Sequence, residues 1–225
     1  MSNSVVLDDE AETEAGAARS PWLVRGLGAL MLVALLVIAG TVGWLLRGSS
    51  SGAPSASSVD AGFARDMSVH HIQAVTMAGI ERDHTSDPQL KLLAFDIETG
   101  QQFQVGEMQG WLDSWNLSRN SEHPMDWMGH ADAVHNGLMP GMATDAQMKQ
   151  LAALHGKPLD ILFLQLMIHH HQGGIPMARY AAEHASNSYV SDLAANMVTA
   201  QSNEVIQMEQ MLRQLGGKPL PAPQY

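Results

Sequence analysis

The chain has 225 residues, with 12 Lys/Arg against 23 Asp/Glu, a net charge of −11 and no cysteine. This acidic balance makes nucleic acid and anionic lipid surfaces poor partners. The lack of thiols removes both a disulfide framework and thiolate as a metal ligand.

Residues 1–21 are acidic, Ala-rich and without hydrophobic period, which predicts a disordered tail. Residues 22–46 predict one transmembrane helix: no charge occurs from Gly26 to Leu46, about one bilayer thickness of helix. Trp22 and Trp44 fall near its ends, where indole prefers the interface. A cleaved signal peptide would have a shorter apolar core, roughly 7–15 residues, closed by a small-residue site. The span therefore reads as a retained single-pass anchor in the cell membrane. Arg19 and Arg25 in front, against Arg47 behind, favour a cytoplasmic N-terminus and an extracytoplasmic main domain. Residues 47–58 form a Ser/Gly/Pro linker.

Beyond the linker the chain says one thing twice. Arg65–Ala78 reads R-D-M-S-V-H-H-I-Q-A-V-T-M-A and Gln165–Ala178 reads Q-L-M-I-H-H-H-Q-G-G-I-P-M-A. Laying Asp60–Leu112 on Asp160–Leu212 without a gap gives 16 identities, rare His, Met and Gln among them. An internal duplication follows. Its limits are 60–116 for copy one, 117–158 for a Met/His-rich connection and 159–216 for copy two, within a domain spanning 59–219 and followed by a tail over 220–225.

The helix signals come in order. Ser58 or Asp60 caps a helix to about Asp83, and Ser86-Asp87-Pro88 opens a second to about Trp115. Thr144-Asp145 caps a short helix ending near His155-Gly156. Asp160 opens the next, to about Glu183, with a kink expected at Pro176. Ser186 or Asn187 opens the last, which ends at Gly216-Gly217. No stretch alternates with a β period. Two duplicated hairpins, each unable to bury its own apolar face, predict an all-α four-helix bundle.

On a helix, Met67 lies one turn before both His70 and His71, and Met167 one turn before His170 and His171. Met77 and Met177 follow the first imidazole of each pair by seven residues, about 10 Å along the axis. That is far beyond a metal–ligand bond of about 2 Å, so one straight helix cannot close a site. A closed site needs the facing helices, where Gln101 and Gln201, or Met108 and Met208, could supply the opposite wall. Thioether sulfur selects copper, above all Cu(I), with Cu(II) also served by imidazole. The paired Glu-x-x-His sets of di-iron bundles and the His-Glu-x-x-His of zinc enzymes are missing. Further ligand candidates are His169, His84 and His184, and, in the connection, His123, Met125, Met128, His130, His135, Met139 and Met142, a second and more open set. Met108, Met197, Met208 and Met211 read as core filler. Imidazole ligands ordinarily protonate near pH 6–6.5, so binding is expected to fall in mild acid.

Phe63, Met67, His70, His71, Ala74, Met77 and Ala78, then Gln101, Val105, Met108, Trp111 and Leu112, form a pattern. Phe163, Met167, His170, His171, Met177, Ala178, Gln201, Glu204, Val205, Met208 and Leu212 repeat it. Over about residues 60–216, with Met139-Pro140-Gly141-Met142-Ala143-Thr144 between, this resembles the bacterial family called domain of unknown function 305. Gln104 stands where that pattern has Glu, Gly174 where it has Ala, and His169 is an added imidazole. The resemblance implies a ferritin-like bundle, exported, with copper binding in some members. The reading is then a membrane-anchored copper-binding protein that sequesters copper or hands it to a copper-handling partner. A metal-free structural or partner-binding bundle, or a copper- or iron-dependent oxidoreductase, are the other classes; nothing names a substrate.

Overall fold

The computed structural model describes residues 52–224. The expected tail over 1–21, the membrane span over 22–46 and the first part of the linker lie outside the described residues. Among the described residues no helix is long and apolar enough to cross a membrane.

Five α-helices make up the described chain: α1 (Val59–His84), α2 (Pro88–Ser114), α3 (Asp145–Ala153), α4 (Lys157–His184) and α5 (Ser188–Gln214). No β-strand occurs among them, only an isolated bridge between His135 and Leu138. The starts follow from local chemistry. The Ser58 hydroxyl accepts the Ala61 N–H, Asp87 accepts those of Gln89 and Leu90 with Pro88 in the first turn, and Asn187 accepts that of Tyr189. Thr144 and Gln147 form a reciprocal capping box on α3.

One expectation shifts. α4 starts at Lys157, not Asp160, from Gly156 in the left-handed region (φ 59°) with no side-chain cap. The Asp160 carboxylate is engaged elsewhere: it accepts the Thr85 hydroxyl at 2.9 Å. α4 holds Pro176 within its helical run and ends at His184.

α1 packs on α2 and α4 on α5, and the hairpins meet through α1 against α4. The contacts repeat the duplication. Arg65 donates to the Ser118 carbonyl (2.8 Å) and Gln165 to that of Lys218 (2.7 Å), again 100 residues apart. Asp60, at the start of α1, accepts the N–H groups of Ser186 (3.3 Å) and Asn187 (2.8 Å) beyond the end of α4. Asp160, at the start of α4, binds Thr85 beyond the end of α1. The two first helices therefore run antiparallel, and each copy's aspartate ties down the other copy's bend.

The interior divides into two apolar clusters. One gathers Met77, Phe163, Leu164, Met167 and Met208; the other gathers Phe63, Met67, Met108, Met125, Met177 and Met197. Antiparallel packing dictates this sorting, because it sets Met67 level with Met177 and Met77 level with Met167. The paired histidines fall between those levels.

Candidate metal centre

His70, His71, His170 and His171 are all buried, none more than 1% exposed. The rings of His70 and His170 come from different helices and lie 3.8 Å apart between centroids, tilted by 37°. His171 sits 6.3 Å from His170.

Each ring spends its Nε2 on an oxygen. His70 donates to the Pro140 carbonyl (3.1 Å) and His170 to the backbone carbonyl of His70 (2.9 Å). His71 meets Gln104 Oε1 (2.8 Å) and His171 meets Glu204 Oε2 (2.6 Å), the same contact in both copies. Carbonyls and carboxylates only accept, so Nε2 carries a proton, and in the neutral ring Nδ1 then carries a bare lone pair. Nδ1 of His70, His71 and His171 is buried with no partner. An imidazole with one N–H anchored to oxygen and the other nitrogen bare is how histidine presents itself to a metal.

Burial pushes the His70 ring down to about 4, against the Pro140 carbonyl that favours its charged form. Burial, with His70 alongside, pushes His71 down to about 3. His170 falls well below its ordinary value, mainly through burial and then through His70. The rings of His70, His71 and His170 are neutral well below pH 6, which corrects the expectation that mild acid protonates them.

Met67, Met77, Met167 and Met177 are fully buried, two on either side of the imidazole layer. The expected opposite wall is partly present. Gln101 and Gln201 are buried, with both amide atoms of Gln101 and Oε1 of Gln201 unpartnered, whereas Met108 and Met208 are absorbed into the apolar clusters. The glycine at 174 leaves less room than its size suggests. A Cβ there would lie 3.0 Å from Gln201 Oε1 and 3.2 Å from His70 Cε1, so its smallness serves a close crossing of helices.

The connection does not form an open set of ligands throughout. Met125, Met128 and Met139 are buried in the same cluster as Met67 and Met177. His123 and His135 are exposed, His130 and Met142 half-buried. His169 is half-buried on α4 and donates Nδ1–H to the Pro221 carbonyl (2.9 Å). His84 and His184 are exposed at the ends of α1 and α4, fourteen residues and so about 20 Å from the paired histidines. His84 stacks edge-on with His155, His184 against Tyr180. Glu81 and His84 do stand at Glu-x-x-His spacing, but one is buried, the other exposed, and Ala181 occupies the matching place in copy two. Among the described residues no three His, Asp or Glu side chains group closely enough to hold an ion by themselves.

Spacing alone misses the oxygen partners. Gln104 and Glu204 lie 33 residues from the rings they hold, and Pro140 touches His70 through its backbone. Only the family pattern carries a signal for position 204.

The family model described as domain of unknown function (DUF305) matches residues 60–212. The chain belongs to the DUF305 family. A DUF305 protein from Streptomyces coelicolor shares 46% identity at a TM-score of 0.70, covering 74% of this chain and 99% of that one. A DUF305 fragment from Deinococcus radiodurans shares 28% at 0.59, covering 69% and 96%. CopM in its Cu(I)-bound form shares 26% at 0.54, covering 70% and 98%. CopM structures also exist in Cu(II)-bound and Ag-bound forms. No curated protein matches the chain.

Proposed function

We propose that this DUF305 protein binds copper as cargo, sequestering it or handing it on, with nitrogen from His70, His71, His170 and His171 and sulfur from Met67, Met77, Met167 and Met177. The observation that carries this reading is the set of bare, buried Nδ1 atoms on His70, His71 and His171, each opposite an anchored Nε2–H. The donor chemistry fits a soft ion: neutral imidazole and thioether, with no thiolate and one nearby carboxylate at Glu204. CopM, a structural relative with bound Cu(I), Cu(II) and Ag forms, supports the choice of metal.

The four long helices form a four-helix bundle of the ferritin-like kind in this reading. It stands outside the cytoplasm, held by the apolar stretch over residues 22–46 as a single-pass anchor, and its copper-handling partner meets it there. No step of a reaction is assigned to it.

A second reading, a metal-free scaffold, is favoured by one observation: all four methionines are fully buried among apolar side chains. Titration of the purified full-length chain with Cu(I), alongside elemental analysis as isolated, separates the two. Copper binding should weaken at least tenfold in His71→Ala and in His171→Ala, with circular dichroism reporting the fold. Unchanged binding in both folded variants sinks the ligand assignment.

A further inference from the structure

The imidazole layer is sealed, so an ion held there must pass through the wall. Pro140-Gly141 stands between the imidazoles and the surface. The Pro140 carbonyl accepts from His70 on the inner side, and the same two residues help to line a surface cavity of about 580 Å³ on the outer side. One layer of backbone separates the cavity from the buried ring.

That layer is set closely against its neighbours. Gly141 takes φ 82°, and a Cβ on it would lie 2.6 Å from the His169 carbonyl. A Cβ on Gly173 would collide with the Pro140 carbonyl, so α4 is bare there to let the connection pass. Gln73 pins the downstream end, with its amide giving and taking hydrogen bonds at Ala143 (2.9 and 2.7 Å). At Pro140 itself the side-chain tie comes from His70.

The cavity brings soft and borderline donors together at that spot. His135, Met139, Met142 and His169 all line it. His135 is presented by a tight turn through Asn136 (φ 52°) and Gly137 (φ 78°), closed by its own bonds to Leu138. His169 donates Nδ1–H to Pro221, which leaves Nε2 as its bare nitrogen, the same anchored-and-bare arrangement as in the core with the ring nitrogens exchanged. Copy one has Val69 at the matching position, so it has no counterpart to His169.

We propose that this cavity is the loading port for the buried imidazoles: a monovalent soft cation docks on His135, Met142 and His169 and passes inward beside Pro140. The proposal rests on the reading of the core as a copper site, and it makes the outer residues matter for rate where the inner ones matter for affinity.

The test uses the full-length chain with Ag(I), which has Cu(I)-like preferences and no redox chemistry under the conditions of the assay. A pulse of Ag(I) is chased with a strong thiol chelator, and the time for the ion to become chelator-resistant is followed. The variant is His135→Ala, Met142→Leu and His169→Asn together; the asparagine keeps an N–H donor toward Pro221. Uptake should slow at least tenfold with the same final occupancy. Equal uptake rates in variant and parent overturn the port while leaving the core site standing. If the parent never holds Ag(I) against the chelator, the core reading and the port both fall. His71→Ala serves as the contrast, losing final occupancy without a slower approach.

Discussion

His170 donates its Nε2–H to the backbone carbonyl of His70 (2.9 Å), so a ring from one copy is held by the main chain of the other. That contact requires α1 and α4 to approach closely, a demand that Gly174 meets, while Gly173 beside it lets the connection pass over α4. Gly173→Ala drives a methyl into the Pro140 carbonyl and the Gly141 backbone, and should cost about 1–3 kcal/mol by overpacking. Gly174→Ala restores the residue that copy one carries at Ala74, and its methyl meets a Gln201 side chain and an edge of His70 that can give by a few tenths of an ångström. Its cost should stay below about 1 kcal/mol. Denaturant midpoints of the two variants check the order.

Glu81 is fully buried, with the Asp160 carboxylate and the Thr85 hydroxyl beside its own carboxyl group. Burial, followed by the Asp160 carboxylate, pushes it up to about 8. The folded chain therefore keeps a proton on Glu81 that the unfolded chain gives up near its ordinary value of 4.5. Stability from this group is full below about 4.5 and declines as pH rises through 8. Glu81→Gln should flatten that decline and gain roughly 4 kcal/mol at pH 8.5 relative to pH 5. Denaturant unfolding at the two pH values reads it; an identical pH dependence in parent and variant contradicts it.

The imidazoles pull the other way, so they are best read in the Glu81→Gln background. Folded His70 and His71 resist protonation down to about 4 and about 3, against an ordinary value of 6.5. Between those values the unfolded chain binds protons that the folded chain refuses. Stability is complete above about 6.5 and is lost as pH falls toward 4, on the order of 3 kcal/mol for His70 alone. Unfolding midpoints that hold level from pH 7 to pH 4.5 would count against the sealed, neutral layer.

Asp66 carries the start of the connection. Its Oδ2 accepts the Met125 N–H (2.7 Å) and the Trp127 indole N–H (2.8 Å), while burial pushes its pKa up. Asp66→Ala strands two donors and should cost about 2–4 kcal/mol. Asp66→Asn, whose amide oxygen can still accept, should cost less. Trp fluorescence should shift in Asp66→Ala, where Trp127 loses its partner.

The architecture was readable because its signals are local or periodic. Ser58, Asp87, Thr144 and Asn187 cap as their side chains dictate, and the 100-residue offset predicts matching contacts such as Arg65 with Ser118 and Gln165 with Lys218. Asp160 misleads as a helix opener because a carboxylate near a helix start can serve a distant loop equally well. The pairing of His70 with His170 is likewise invisible to spacing, since it depends on which helices meet and in which direction. The tautomers were out of reach for the same reason: they are set by the Pro140 carbonyl, Gln104 and Glu204, brought in from other segments. The methionines of the connection look open in a Pro/Gly-rich stretch, yet Met125 and Met139 close the bundle's end.

The crossed ties of Asp60 to Asn187 and of Asp160 to Thr85 make the molecule, in effect, a homodimer whose subunits share one polypeptide. Each twin finishes the other's corner, so a half expressed alone has an unfinished bend and must find a mate. An ancestor one hairpin long could have met that need by pairing with itself. The facing imidazoles sit on the seam of that union, where a single subunit has only half of what the pocket requires.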